Sequence, residues 1–342
     1  MNTFLTDDTK VTILLCAVLG KEQVAKPLTQ MEYNALVRGL VAHKLRPSDL
    51  LQSENIPKVV KESGLDQSRL ELLLGRGVQM GFVLEEWQRS GIWIISRSDV
   101  EYPKRLRKHL KDKAPPLLFG VGDKALLTGG GVAIVGSRNV EIDGEAFTRK
   151  MADLCATSML PVVSGGARGV DQIAMNVALN AGGVVIGVVA ENLLKKSLER
   201  TARNAIADER LLLVSPYHPN ARFTVGTAMA RNKFIYAMAD YGLVVQCDYK
   251  SGGTWAGAAE ELKRAVARPV FVRASKTKGN SKLLELGAVS WSDNPSDAPL
   301  SKQLNDLAEG KKQEEAVKNM DLFDYPLMAK EEGTDFKSGG QV

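Results

Sequence analysis

The chain has 342 residues, of which 44% are hydrophobic and 25% charged, enough apolar material for a large core and too much for a wholly disordered protein. The formal net charge is only +5, which taken alone says little about partners. Three cysteines (Cys16, Cys155, Cys247) and three histidines (His43, His109, His218) are widely separated. This scatter argues against a zinc site or a disulfide framework and for a reduced, cytoplasmic setting.

In chain order, the apolar run 11–19 is too short to span a bilayer and follows Asp7 and Asp8, so it predicts a buried helix and no membrane anchor. Leu36, Val37, Leu40 and Val41, then Leu70, Leu73 and Leu74, recur at helical spacing. The stretch 56–74 predicts a helix, a turn at Gly64 and a second helix. Residues 1–92 therefore predict a small helical domain. From 93 to 292 the texture changes. Short runs rich in β-branched residues, at 132–135, 161–163, 184–189, 211–214, 243–245 and 270–272, alternate with helical patterns at 145–158, 170–181, 194–207, 227–239 and 254–267. Strand–helix alternation with strands apolar on both faces predicts an α/β fold with a doubly wound, mostly parallel sheet. Such sheets bind ligands beyond the carboxyl ends of their strands. Residues 293–342 are polar and predict a disordered tail, interrupted by one apolar patch at 319–327.

Charge divides along the same lines. Residues 1–97 hold 12 basic and 11 acidic side chains, 98–292 hold 27 and 18, and 293–342 hold 6 and 11; the nets are +1, +9 and −5. The basic excess sits in the sheet-forming block, and the acidic tail partly conceals it in the total.

Four segments of that block carry the chemistry. In the first, a strand ends in Gly136, Ser137 and Arg138 before a helix. Freed amides, a hydroxyl and a guanidinium there suit a phosphate. In the second, Ser164, Gly165, Gly166 and Gly169 form a loop whose amides face an anion, and Arg168 adds charge. Asp171 opens the next helix, where a loop-bracing role is favoured over a catalytic one. Third, Arg231, Asn232 and Lys233 stand near a helix start, suiting a phosphate backbone and a base edge. The fourth is Ser251, Gly252, Gly253 and Thr254, another strand-end loop of the same kind. Neither a dinucleotide fingerprint nor a Walker A sequence is present. With aromatics at 6%, binding is expected to lean on phosphate contacts more than on stacking.

Together, "VAIVGSR" (132–138), "VSGGARGVDQIAM" (163–175), "ARNKFIYAMAD" (230–240) and "SGGTWAGAAEELKRA" (251–265), in this order, resemble the DprA/Smf family of DNA-processing proteins. The stretch 102–123 is similar to that family's lead-in to the sheet, and the resemblance covers roughly 93–290. It implies an extended Rossmann-like fold that binds single-stranded DNA, protects incoming DNA and assists loading of a RecA-type recombinase in transformation and recombination. It also implies a homodimer. By resemblance, Gly136, Ser137 and Arg138 match the family's Gly-Ser-Arg loop, and Ser164, Gly165, Gly169 and Asp171 its second loop. Arg231 and Asn232 match an Arg-Asn pair, and Ser251 and Gly252 a Ser-Gly pair. The chain departs from the pattern at Ala174-Met175 and over 191–204, where Lys195 and Lys196 are basic enough to extend a DNA track. In the tail, Asn319, Met320, Leu322 and Phe323 resemble the short peptide that engages bacterial sliding clamps. The alternative is that Leu322, Phe323 and Tyr325 fold back on the body.

The reading is a single-strand-binding protein with no catalytic residues, cofactor or metal. Two alternatives stand beside it. One is a nucleotide-binding sensor or phosphoribohydrolase-like enzyme, with Asp171, Glu260 or Glu261 as its carboxylate. The other is a dimeric adaptor that recruits partners through its helices and tail.

Overall fold

The computed structural model of the protein describes residues 5–20, 23, 25–292 and 298–323. Five helices come first: α1 (Asp7–Cys16), α2 (Gln30–Ala42), α3 (Ile56–Ser63), α4 (Gln67–Leu74) and α5 (Gly77–Arg89). Local signals set their ends. Thr6 caps α1 through its side chain. Thr29 and Glu32 form a reciprocal capping box on α2. Gly64, at φ +67°, ends α3, and Asp66 caps α4. Leu36, Leu40, Leu70 and Leu73 bury their helical stripe in one cluster with Val11 and Leu15 of α1. Ile13 and Leu14, between them on another face of α1, pack instead on the main core. That helix therefore ties the helical part to the sheet. A buried polar joint reinforces it, with the Asp99 carboxylate accepting from Thr6 and Thr9 of the α1 turn and from the Ser96 amide.

The remainder is β1 (Trp93–Ser96), α6 (Lys104–Leu110), β2 (Leu117–Val121), β3 (Val132–Val135), α7 (Ile142–Thr157), β4 (Val162–Ser164), α8 (Val170–Asn180), β5 (Val185–Val188), α9 (Leu193–Leu198), α10 (Arg200–Ala207), β6 (Leu211–Ser215), α11 (Val225–Met238), β7 (Tyr241–Val244), α12 (Gly252–Leu262), β8 (Val270–Arg273), α13 (Lys278–Glu285), β9 (Val289–Trp291) and α14 (Leu300–Phe323). The strands form one sheet in the order β1-β2-β6-β5-β4-β3-β7-β8-β9. From β6 to β9 every pairing is parallel; β2 joins β6, and β1 joins β2, antiparallel. Strands β3 to β6 run outward one way from β3, and β7 starts the other way. The topological switch point lies between β3 and β7, where open α/β sheets hold their ligands.

All four residues of β3 are buried. Val132 and Ile134 enter the cluster on one face, Ala133 and Val135 that on the other. Helices thus cover both faces, which is why these strands read as continuous apolar runs.

The structure alters several expectations. The antiparallel pair β1–β2 extends the sheet past β6. The pattern over 194–207 forms two helices, because Glu199 adopts an extended conformation (φ −59°, ψ 138°) between α9 and α10. The polar block from 293 does not begin as free chain: α14 runs from Leu300 to Phe323, and Leu300, Leu304 and Ala308 are buried in the main core. An i, i+4, i+8 stripe accounts for that docking. Among the described residues, no helix is long and apolar enough to cross a membrane.

Candidate nucleic-acid interface

A cleft of about 360 Å³ opens at the switch point, walled by the loops that follow β3 and β7 and floored by α8 and α11. The first wall is Gly136, Ser137, Arg138 and Asn139, and the second is Asp248 and Ser251 to Thr254. Asp171, Arg231 and Asn232 complete it. Segments more than a hundred residues apart in sequence thus meet because parallel strands all end at one edge.

The loops are fixed to one another. Thr254 Oγ1 donates to the Gly136 carbonyl at 2.9 Å, and the Ser137 amide donates to the Gln246 carbonyl at 2.8 Å. Asn232 Nδ2 donates to the Gly253 carbonyl at 2.8 Å. Gly169 turns the chain into α8 at φ +87°, with the Ser137 carbonyl packed where a side chain would begin. Only glycine meets both demands there.

Arg231 occupies a different position from the one expected of a phosphate ligand. It is buried, and its Nη1 donates to the carbonyls of Gly165 and Val188. Its Nε donates to Asn232 Oδ1 at 3.2 Å. The guanidinium packs directly against Gly165, which leaves no room for a side chain at that position. Arg231 therefore braces the second loop from beneath. Asp171 has the matching task. Its carboxylate accepts the Gly165 amide at 3.2 Å, and the amides of Ala167 and Gly136 also point to it. Burial pushes this carboxyl above the ordinary range, while Arg231 and the three amides pull it back. Ser164 is likewise internal, its Oγ donating to the Ile134 carbonyl at 2.6 Å.

The exposed polar groups at the cleft are Arg138, Asn139, Asp248, Ser251 and Gly252, with Arg168 beside them, bonded to Asn139. Gly166, at φ +66°, shapes the turn leading to Arg168. Ser137 Oγ and the backbone of Asn139 bond to one another, holding the tip of the first loop. Three of the expected residues stand elsewhere. Lys195 and Lys196 lie on α9, beyond β5, with Lys196 3.9 Å from Glu191. Lys233 points to the opposite side of α11, into a second cavity with Phe119 and Phe234. Its ammonium lies 5.1 Å from the Phe234 ring, and burial lowers its proton affinity. Helical geometry explains the split, since consecutive residues on a helix face about 100° apart.

Phe223, exposed in the loop before α11 with the Arg138 guanidinium 5.4 Å above its ring, was not legible as part of this region. No periodicity or glycine signal marks that loop. Among the described residues, the acids lining the cleft are Asp171 and Asp248. Glu261 is buried and bound to His109, Arg264 and the Arg268 amide, and Glu260 pairs with Lys113 and Arg264 outside the cleft. Of the three carboxylates considered for a nucleotide enzyme, only Asp171 lines the cleft.

A mostly parallel sheet with glycine-containing loops converging at its switch point defines a Rossmann-like α/β protein. The family model for DNA recombination-mediator protein A matches residues 93–298, and the chain belongs to that family. It is 32% identical over 175 residues to Protein Smf of Synechocystis sp., a match covering 49% of this chain and 43% of that protein. The alignment thus spans less than half of that relative's length. Among solved structures it resembles DNA processing protein A from Streptococcus pneumoniae (TM-score 0.65, 22% identity, 84% of this chain and 95% of that one). It also resembles DNA processing protein A from Helicobacter pylori, described for its single-stranded DNA binding mode (TM-score 0.50, 27% identity, 66% and 98%).

Proposed function

We propose that the protein binds single-stranded DNA through the switch-point cleft, without catalysing a reaction on it, and that it protects the strand and hands it to a RecA-type recombinase. The observation that carries this reading is the convergence of the Gly136–Asn139 and Asp248–Thr254 loops on one cleft, with Arg138 exposed at its mouth. The net charge of +9 over residues 98–292 supplies the long-range attraction. If about five phosphates are neutralised, log affinity should fall with log salt at a slope of roughly −3.5. The Arg138→Ala variant should weaken binding to all sequences and reduce that slope by about 0.7. A salt-titrated assay with single strands, duplex and mononucleotides tests it. Equal affinity of the Arg138→Ala variant would remove the cleft from the strand's path. Preference for mononucleotides, with release of base, would favour a nucleotide enzyme instead.

The same reading includes a homodimer and a cytoplasmic site of action. The Asn319, Met320, Leu322 and Phe323 patch is proposed as a contact for the sliding clamp; its side chains lie outside the described residues. Clamp retention that is unchanged by Leu322→Ala/Phe323→Ala would end that part.

A further inference from the structure

The second wall of the cleft has an outer side. Between Asp248 and Ser251, which line the cleft, stand Tyr249 and Lys250. Tyr249 meets Trp255, in the first turn of α12, edge to face, with ring centroids 4.9 Å apart. Both rings are partly exposed. The Lys250 ammonium is 5.2 Å from the Tyr249 centroid, and that of Lys278, at the start of α13, is 5.4 Å from it. Both lysines are exposed, and neither ammonium has a carboxylate partner among the described residues. The third lysine beside the tyrosine, Lys282, is occupied by Glu285 at 2.6 Å. Two cations held near one ring repel each other and, with neither ion-paired among the described residues, leave positive charge around an aromatic face next to exposed Asp248.

Sheet order sets the direction in which this site lies. β8 neighbours β7, and α13 follows β8, so Lys278 stands one strand further along the same carboxyl edge than the cleft between β3 and β7. A mononucleotide in the cleft would not reach it. A polynucleotide following the edge from β3 across β7 to β8 would. Positive charge alternating with an accessible aromatic pair is the chemistry that takes a phosphate and a base together.

We infer that Tyr249, Trp255, Lys250 and Lys278 form a second contact zone of the single-strand site, in which a base stacks on the Tyr249–Trp255 pair and the adjoining phosphates lie against the two lysines. The inference rests on the single-strand reading of the cleft. It also adds a stacking contribution to the expectation, drawn from low aromatic content, that binding leans on phosphate contacts more than on stacking.

The test uses the full chain and oligo-dT strands of increasing length, with binding followed by anisotropy and by tryptophan fluorescence. Lys250→Ala/Lys278→Ala removes only exposed side chains, so the fold should hold. It should flatten the salt slope by about 1.4 on long strands and leave a dinucleotide unaffected. Tyr249→Ala/Trp255→Ala should cost about 5- to 100-fold on long strands. Long strands should quench wild-type fluorescence, and Trp255→Phe should abolish most of that quenching. Unchanged slope and affinity in the lysine variant, or no Trp255-dependent quenching, would overturn the second zone while Arg138→Ala still weakens binding. Failure of the wild-type chain to bind any strand would overturn the cleft reading, and the second zone with it.

Discussion

Arg231 separates a bracing role from a ligand role, and its replacement by methionine tests the difference. Methionine keeps the length of the side chain and removes the charge and its donors. Three acceptors lose their partner: the carbonyls of Gly165 and Val188, both inside the protein, and Asn232 Oδ1. Each hydrogen bond from a charged donor is worth about 1.5–3 kcal/mol. Asp171, buried at 5% exposure, also loses its nearest positive charge. Breaking one side of a buried charge arrangement typically costs about 3–5 kcal/mol, and we expect that range here. In a scanning thermal assay the loss should appear as a fall in Tm on the order of 10 °C. Arg138→Ala, at an exposed site, should leave Tm nearly unchanged while weakening the strand. The double variant Arg231→Met/Asp171→Asn should recover part of the loss, because the unpaired carboxylate is gone. An Arg231→Met protein as stable as wild type, yet unable to bind the strand, would refute the bracing role and make Arg231 a direct ligand.

Gly169→Ala should cost about 1–3 kcal/mol in chemical denaturation and weaken strand binding, because φ is +87° and the Ser137 carbonyl occupies the space of the added methyl. Leu304→Ala should cost about 2–5 kcal/mol by calorimetry, since Leu304 is 1% exposed; no change would mean that α14 does not pack on the core in solution. The Glu32 carboxyl is held down at about 2, against an ordinary 4.5, chiefly by its hydrogen bonds from Arg69 and also by the Thr29 amide. Its contribution should therefore be full above pH 4.5 and lost as pH falls toward 2. A Glu32→Gln protein should be less stable than wild type at neutral pH and converge with it in acid; parallel curves would exclude the linkage.

The central strands were legible because parallel strands buried on both faces must be apolar throughout, as Val132–Val135 is. The turn at Gly64 and the two helices flanking it were legible for a local reason, a left-handed glycine followed by the Asp66 cap. The fate of individual side chains in the loops was not. Arg231 and Lys233 are two residues apart, and one enters the cleft floor while the other enters a cavity on the far side. That separation depends on where α11 lies across the sheet, which no local pattern encodes. The docking of α14 was obscured by composition. Its three core residues, Leu300, Leu304 and Ala308, are spread through a polar segment, so average polarity concealed a narrow stripe.

The bonds among the loops bear on how the cleft would work. Loops rich in glycine are mobile unless held, and ordering them on binding would consume much of the energy of a phosphate contact. Here the ordering is already present. Thr254 ties the β7 loop to the β3 loop, Asn232 ties α11 to the β7 loop, and Arg231 ties α11 to the β4 loop. Each tie places a polar side chain on a backbone carbonyl, so the loops are held without engaging the exposed Arg138 side chain. On the proposed single-strand reading, buried Arg231 and Asp171 would act chiefly through the loops they hold, and exposed Arg138 by direct charge. The motif residues divide into buried ones that shape the cleft and exposed ones available to a ligand, a division that burial and partners reveal and residue type does not.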